Sequence, residues 1–239
     1  EGQRNILNLL RCAWAGSQKY GALVWSGDIH SSFESFRNQF AAGLHMGIAG
    51  IPWWTTDIGG FHGGNPDDEA FREVFARWFQ YGTFCPVMRL HGDRAPHTVG
   101  GGRMASGGPN EVWSYGETLY EMCRKYMFLR ERLRPYITGL MQDAHEKGTP
   151  VIRPMFYDFP EDKSCWTLDG QYMFGGSLLV APVMEAGQRA KTVYLPAGTW
   201  YNAWTGEAVE GGRTVEADAP LTVIPVYTRD PGLLEVFKG

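Results

Sequence analysis

The chain has 239 residues, of which 44% are hydrophobic and 14% aromatic, with 22 basic against 26 acidic side chains and a formal charge of −4. That apolar content excludes intrinsic disorder, and the mild acidity gives no electrostatic reason to expect nucleic acid or an anionic membrane as partner. No run approaches the roughly 18 apolar residues of a spanning helix, so a soluble protein of one large or two modest domains is expected.

In chain order, Tyr20–Trp25 reads as a buried strand ending at Ser26-Gly27-Asp28. The stretch after it sets Phe33, Phe36, Phe40 and Leu44 on one helical face. A second apolar run, Gly47–Trp54, leads into Thr55-Thr56-Asp57 and the Gly-rich tip Ile58–Gly64. Asp67, Asp68 and Glu69 suit the positive end of a helix dipole, and Phe71, Val74, Phe75, Trp78 and Phe79 repeat at helical spacing behind them. The third run is Cys85–Leu90, ending at His91-Gly92-Asp93. A long loop, Arg94–Asn110, separates it from a helix carrying Leu119, Met122, Tyr126, Leu129 and Leu133.

Asp28 and Asp57 stand 29 positions apart, Asp57 and His91 34. A (β/α)8 barrel of roughly 250 residues spends about 31 on each unit and places its chemistry at the carboxyl ends of the strands. A doubly wound sheet gives similar intervals; we favour the barrel. Beyond Thr149-Pro150 the texture changes to short runs separated by Gly turns: Leu178–Val183, Lys191–Leu195, Trp200–Trp204 and Leu221–Tyr227. Such spacing argues for an antiparallel sandwich. Only three or four barrel units precede residue 150. The expectation is therefore α/β: the second half of a (β/α)8 barrel over residues 1–154, followed by a β-sandwich over 155–239.

Two carboxylates on adjacent tips, Asp28 and Asp57, lie among Trp25, Trp53, Trp54 and Phe61. Aromatic faces beside fixed acceptors suit sugar rings, and glycoside hydrolysis uses a pair of carboxyl groups. The plainer readings are a helix N-cap for Asp28, a turn residue for Asp57 and a core ion pair for Arg89-x-His91. His91 and His97 have no third ligand at metal spacing, so no metal and no cofactor are expected. Gly100–Gly102 and Gly107-Gly108 lack the pattern of a phosphate loop and read as a mobile loop at the mouth of the site. Cys12, Cys85, Cys123 and Cys165 show no CxxC pairing and read as buried thiols. The chain opens at Glu1 without an initiator Met, which reads as a processed or cut start and leaves the compartment open.

These motifs resemble glycoside hydrolase family 31. The likeness runs through Arg11-x-x-Trp-Ala-Gly-x-Gln-Lys-Tyr-Gly-x-x-x-Trp-Ser-Gly-Asp28, Gly47-Ile-Ala-Gly-Ile-Pro52, Thr56-Asp-Ile-Gly-Gly-Phe61 and Arg77-Trp-Phe-Gln-x-Gly-x-Phe-Cys-Pro-Val-Met-Arg-x-His91. It continues in Arg134-Pro-Tyr136, Gly148-Thr-Pro-Val-Ile-Arg-Pro154 and Pro196-Ala-Gly-Thr-Trp-Tyr201. The resemblance implies a retaining exo-α-glycosidase, acting on an α-linked oligosaccharide or glycoside such as an α-glucoside or α-xyloside. It implies Asp28 as general acid/base, and Arg11, Trp25, Asp57, Phe61, Arg89 and His91 around the non-reducing sugar. The family's nucleophile is an Asp in a Trp-x-Asp-Met-Asn-Glu-like motif ahead of the Arg11 segment, and no such motif stands here. The expectation is then a carboxyl-terminal piece or half of a split protein, inactive alone. Its partner would be the amino-terminal half of the barrel, and an open edge would also permit a homo-oligomer. A non-catalytic carbohydrate-binding or assembly piece is the competing reading.

Overall fold

The computed structural model describes residues 6–97 and 107–238. Three short parallel strands lie side by side in chain order, β1 (Asn8–Leu10), β2 (Ala22–Trp25) and β3 (Trp54–Thr55). Their register pairs Leu10 with Val24 and Trp25 with Thr55. Parallel neighbours need a crossover, and β2 and β3 are joined by helix α1 (Phe33–Ile48). Ser32 caps α1 by accepting from the Ser35 amide at 3.1 Å, and Phe36, Phe40 and Leu44 face the core. The cap of that helix is thus Ser32, not Asp28, which removes the plainer reading of Asp28.

Helix α2 (Glu69–Thr83) is capped by Asp68, which accepts from the Ala70 amide at 3.0 Å. From Val74 to Thr83 every residue is buried. A helix buried all round needs cover on two faces. The cover comes from the sheet side, where Trp78 Nε1 donates to Thr56 Oγ1 at 2.8 Å, from the helix Glu117–Arg132, and from the carboxyl-terminal loops whose carbonyls Arg77 reaches.

Cys85–Leu90 is not a strand. Pro86 has no N–H to donate, and the segment keeps only isolated contacts with the sheet: Val87 N–H to the Trp54 carbonyl at 3.3 Å and Ile58 N–H to the Arg89 carbonyl at 3.2 Å. Further out, bridges join His30 to His62 and His62 to Asp93, so the chain still occupies the fourth position of the sheet. The run Gly47–Trp54 also splits otherwise than its apolar character predicts, since α1 takes it up to Ile48 and β3 starts at Trp54. The expected single helix around Leu119–Leu133 is followed at once by another: α3 (Glu117–Arg132) and α4 (Arg134–Lys147) meet at Leu133.

The carboxyl-terminal part has eight strands: β4 (Ile152–Arg153), β5 (Tyr172–Phe174), β6 (Leu178–Val180), β7 (Ala190–Leu195), β8 (Thr199–Asn202), β9 (Ala208–Glu210), β10 (Arg213–Asp218) and β11 (Val226–Thr228). Six form an antiparallel sheet in the order β4-β5-β6-β11-β8-β9, and β7 and β10 form a separate antiparallel ribbon. The small sheet covers only one face of the large one. Met173, Leu179 and Trp200 pack against Val193, Leu195 and Ala217 of the ribbon. Tyr172, Phe174, Leu178 and Val180 join the core of the barrel helices on the other face. That double cover explains why β5 and β6 read as continuous apolar runs rather than alternating ones.

Cys85, Cys123 and Cys165 are buried free thiols, but Cys12 is exposed. It follows Arg11 at the tip of β1, where no core lies over it. Among the described residues no helix is long and apolar enough to cross a membrane.

Candidate active site

All the polar tips point from the same end of the parallel sheet, because each follows the last residue of its strand in register. Arg11 comes directly after β1. Asp28 comes three residues after β2, turned by Gly27 at φ +73°. Asp57 comes two residues after β3, and His91 follows the unpaired fourth segment.

Arg11 Nη2 donates to Asp28 Oδ2 at 2.7 Å, an ion pair at the surface in which Asp28 is 32% and Arg11 62% exposed. The Arg11 guanidinium lies 5.5 Å from the centre of the Trp25 ring and that of Arg89 lies 5.9 Å from it, so the indole forms a floor below two cations. The indole Nε1 is buried with no partner among the described residues.

Asp57 is wholly buried and ion-paired through Oδ1 with Arg89 Nη1. Its other oxygen, Oδ2, is buried with no donor among the described residues. Burial raises the Asp57 pKa above the usual carboxylate value; the charges of Arg89 and His91 pull it back, and Asp28 pushes it up again. An acceptor kept dry and half-satisfied suits a hydroxyl that arrives with a ligand. Phe61 lies 5.3 Å from the His91 ring, centre to centre. Asp28, Arg11, Trp25, Arg89 and Asp57 are linked through these contacts, and the Phe61–His91 pair stands beside them, close enough for the His91 charge to act on Asp57.

A second group stands around them that the sequence reading left unassigned. His30 and His62 lie 6.0 Å apart between ring centres, and Asp93 pairs with His97 at 2.9 Å. Arg94 is fully buried beneath the tips. No periodicity marks such an arginine, since its partners are three backbone carbonyls and the side chains of Ser31, Asn110 and Tyr115, which lie far apart in the sequence. Of the Gly-rich segment, residues 100–106 lie outside the described residues. Gly108 donates to the Arg94 carbonyl at 2.5 Å. Among the described residues no group of three His, Cys, Asp or Glu side chains is arranged to hold a metal.

The sequence matches the model of the glycosyl hydrolases family 31 TIM-barrel domain over residues 1–140 and that of the glycosyl hydrolase family 31 C-terminal domain over 148–232. The α-xylosidase of Saccharolobus solfataricus is 41% identical over 98% of this chain, and the match covers 31% of that enzyme. The α-glucosidase 2 of Bacillus thermoamyloliquefaciens is 32% identical over 96% of this chain and 28% of its own length. The crystal structure of a family 31 α-xylosidase from a soil metagenome, complexed with xylose, superimposes with a TM-score of 0.95 at 54% identity, over 100% of this chain and 36% of that one. The chain therefore spans about a third of the length of the relatives it matches. The half-barrel agrees with the first family model and the antiparallel sheet with the second, and the chain belongs to glycoside hydrolase family 31.

Proposed function

We propose that the chain supplies the acid/base half of a retaining exo-α-glycosidase, with an α-xyloside, or else an α-glucoside, as substrate. The observation that carries the reading is the pairing of two unlike carboxylates on adjacent tips: Asp28, partly exposed and held by Arg11, and Asp57, buried with one oxygen free. Asp28 as the acid gives its proton to the departing glycosidic oxygen while a nucleophilic carboxylate attacks the anomeric carbon. In the second step the Asp28 carboxylate takes a proton from water as that water displaces the enzyme carboxylate. Asp57 and His91 accept and orient hydroxyls of the non-reducing sugar, Trp25 and Phe61 pack on its C–H faces, and Arg89 fixes Asp57.

The nucleophile comes from an amino-terminal barrel half, in the same polypeptide or as a separate chain. This reading is supported by β1, whose only ladder partner among the described residues is β2. Ile6 and Leu7 are more than half exposed there, beside a groove of about 1210 Å³ lined also by Tyr20, Pro52 and Trp53. An unpaired strand edge with apolar side chains is a template for a further strand.

The test is a leaving-group series on the completed enzyme. Asp28→Asn should slow hydrolysis of alkyl glycosides by about 10²–10⁴-fold. Glycosides of acidic phenols, which leave without protonation, should lose much less in the first step. Equal full rates on both classes would remove Asp28 from the role. Calorimetric binding of oligosaccharide without turnover by the completed protein would instead favour a carbohydrate-binding module.

A further inference from the structure

The tip that carries Asp57 and Phe61 is rich in glycine, and a buried side chain helps to hold it. Between Asp57 and Asn65 four glycines, Gly59, Gly60, Gly63 and Gly64, sit at φ between +77° and +84°. Backbone of that composition has wide conformational freedom, and its pairing with the neighbouring tips is confined to single bridges at His62 and bonds such as Phe61 N–H to the Ile29 carbonyl and Asp93 N–H to the Phe61 carbonyl, both 2.8 Å. The Arg94 guanidinium reaches into it. Nη1 donates to the carbonyls of Gly60 at 2.9 Å and Gly63 at 3.3 Å, and Nη2 to that of Ile58 at 2.9 Å. Nη1 also reaches Ser31 Oγ at 3.1 Å, on the tip that follows Asp28. Nε donates to Asn110 Oδ1 at 2.9 Å and to Tyr115 Oη at 3.1 Å.

Among the described residues all six acceptors are neutral, and the side chain is fully buried over the Phe71 ring at 4.9 Å. Burying a guanidinium without a carboxylate partner is costly, and an apolar residue of the same volume would fill the space more cheaply. The space is also shaped to the planar group. A Cβ on Gly59 would stand 3.0 Å from Nη2, and one on Gly92 2.6 Å from the guanidinium carbon. Arg94 itself lies three residues beyond His91. One side chain thus ties the Asp28 tip, the Asp57–Phe61 tip and the His91 tip together.

We propose that Arg94 is a positioning residue of the sugar site, fixing the spacing of Asp28, Asp57, Phe61 and His91; this rests on the sugar-site reading given above. A displacement of about 1 Å at a reacting or binding group costs on the order of 10²-fold. Arg77 is the natural control. It is equally buried and likewise donates only to neutral groups, chiefly the carbonyls of Gln188, Ala219, Pro220 and Val223, but at the seam between α2 and the carboxyl-terminal strands.

The experiment compares Arg94→Met, Arg94→Lys, Arg77→Met and Asp28→Asn in the completed enzyme. It measures kcat, KM, the inhibition constants of free xylose and free glucose, and hydrogen exchange at the Gly60, Phe61 and His62 amides. Arg94→Met should lower kcat/KM about 100-fold and weaken the competing monosaccharide by about ten-fold or more, with faster exchange at the three amides. Arg94→Lys, which keeps the charge and three donors, should recover part of the sugar affinity. Arg77→Met should leave the inhibition constant within about two-fold. An Arg94→Met enzyme whose sugar affinity stays within two-fold of the wild type, or an equal shift in Arg77→Met, overturns the proposal. If Arg94→Met does not fold, Arg94→Lys decides by the same inhibition constant, with unchanged affinity overturning it. Full rate in Asp28→Asn would instead strike the site reading itself, whatever the Arg94 variants do.

Discussion

Asp57 carries a conflict between binding and stability in a single carboxylate. Burial lifts its pKa, and Arg89 and His91 cancel only part of the rise. The folded chain therefore holds that proton to higher pH than the unfolded chain, and stability falls as pH climbs from about 3.8 through the folded value. Asp57→Asn, which cannot ionise, should gain on the wild type as pH rises through that window and show no gain below it. Urea midpoints of both proteins from pH 3.5 to 7 measure this; a difference that stays flat with pH would mean that ionised Asp57 is not disfavoured. The same variant should bind free sugar more weakly, the usual opposition between activity and stability at a site. Asp28, Asp57 and His91 are visible in the sequence because each ends an apolar run with a polar group. Arg94 and the unpaired Oδ2 of Asp57 are not, because what distinguishes them is the company that folding brings rather than their place in a pattern.

Helices α1 and α2 are legible because one face must be apolar every 3.6 residues and a Ser or Asp must begin each. The parallel strands are harder to delimit. Two or three residues suffice where crossovers and side-chain packing hold the sheet, so β3 is shorter than the apolar run around it. The α3–α4 junction carries its signal in Pro135, in the first turn of α4, which the Leu119–Leu133 periodicity does not use. At Gly43 in α1 the ordinary propensity rule reverses. A Cβ there would lie 2.6 Å from Trp54 Nε1, 2.8 Å from its Cδ1 and 3.2 Å from Ile152 Cδ1. Gly→Ala in an exposed helix gains up to about 1 kcal/mol. Gly43→Ala should instead destabilise by about 1–3 kcal/mol through overpacking against β3. Chemical denaturation followed by tryptophan fluorescence checks it, and a more stable variant would mean that α1 has room to shift.

For the whole molecule, the order half-barrel then antiparallel sheet is legible from spacing and texture. The seam between them is not, because its contacts join residues 88 positions or more apart. Arg77 donates to four carbonyls of the carboxyl-terminal part, Gln80 to that of Leu221 at 2.7 Å, and Tyr126 to that of Thr222 at 3.2 Å. Tyr172 reaches back to the Phe84 carbonyl at 2.9 Å. Burial lowers the Arg77 pKa to about 10, which leaves the side chain charged at neutral pH. Arg77→Met strands those carbonyls and should cost on the order of 2–4 kcal/mol. Calorimetry should show one unfolding transition in both proteins, since Phe36, Phe40, Tyr81 and Tyr126 share a core with Tyr172, Phe174 and Val226. Two separated transitions in the wild type would mean that the parts melt independently.

That shared core bears on how family members can be recombined. The two family models meet between residues 140 and 148, which looks like a ready crossover point for chimeras. A crossover there would give a foreign strand set the guanidinium of Arg77, the amide of Gln80 and the hydroxyl of Tyr126 without the carbonyls that evolved to receive them. The unit that can be exchanged intact includes the second half of α2 and the buried face of α3, so a viable graft follows the seam rather than the chain.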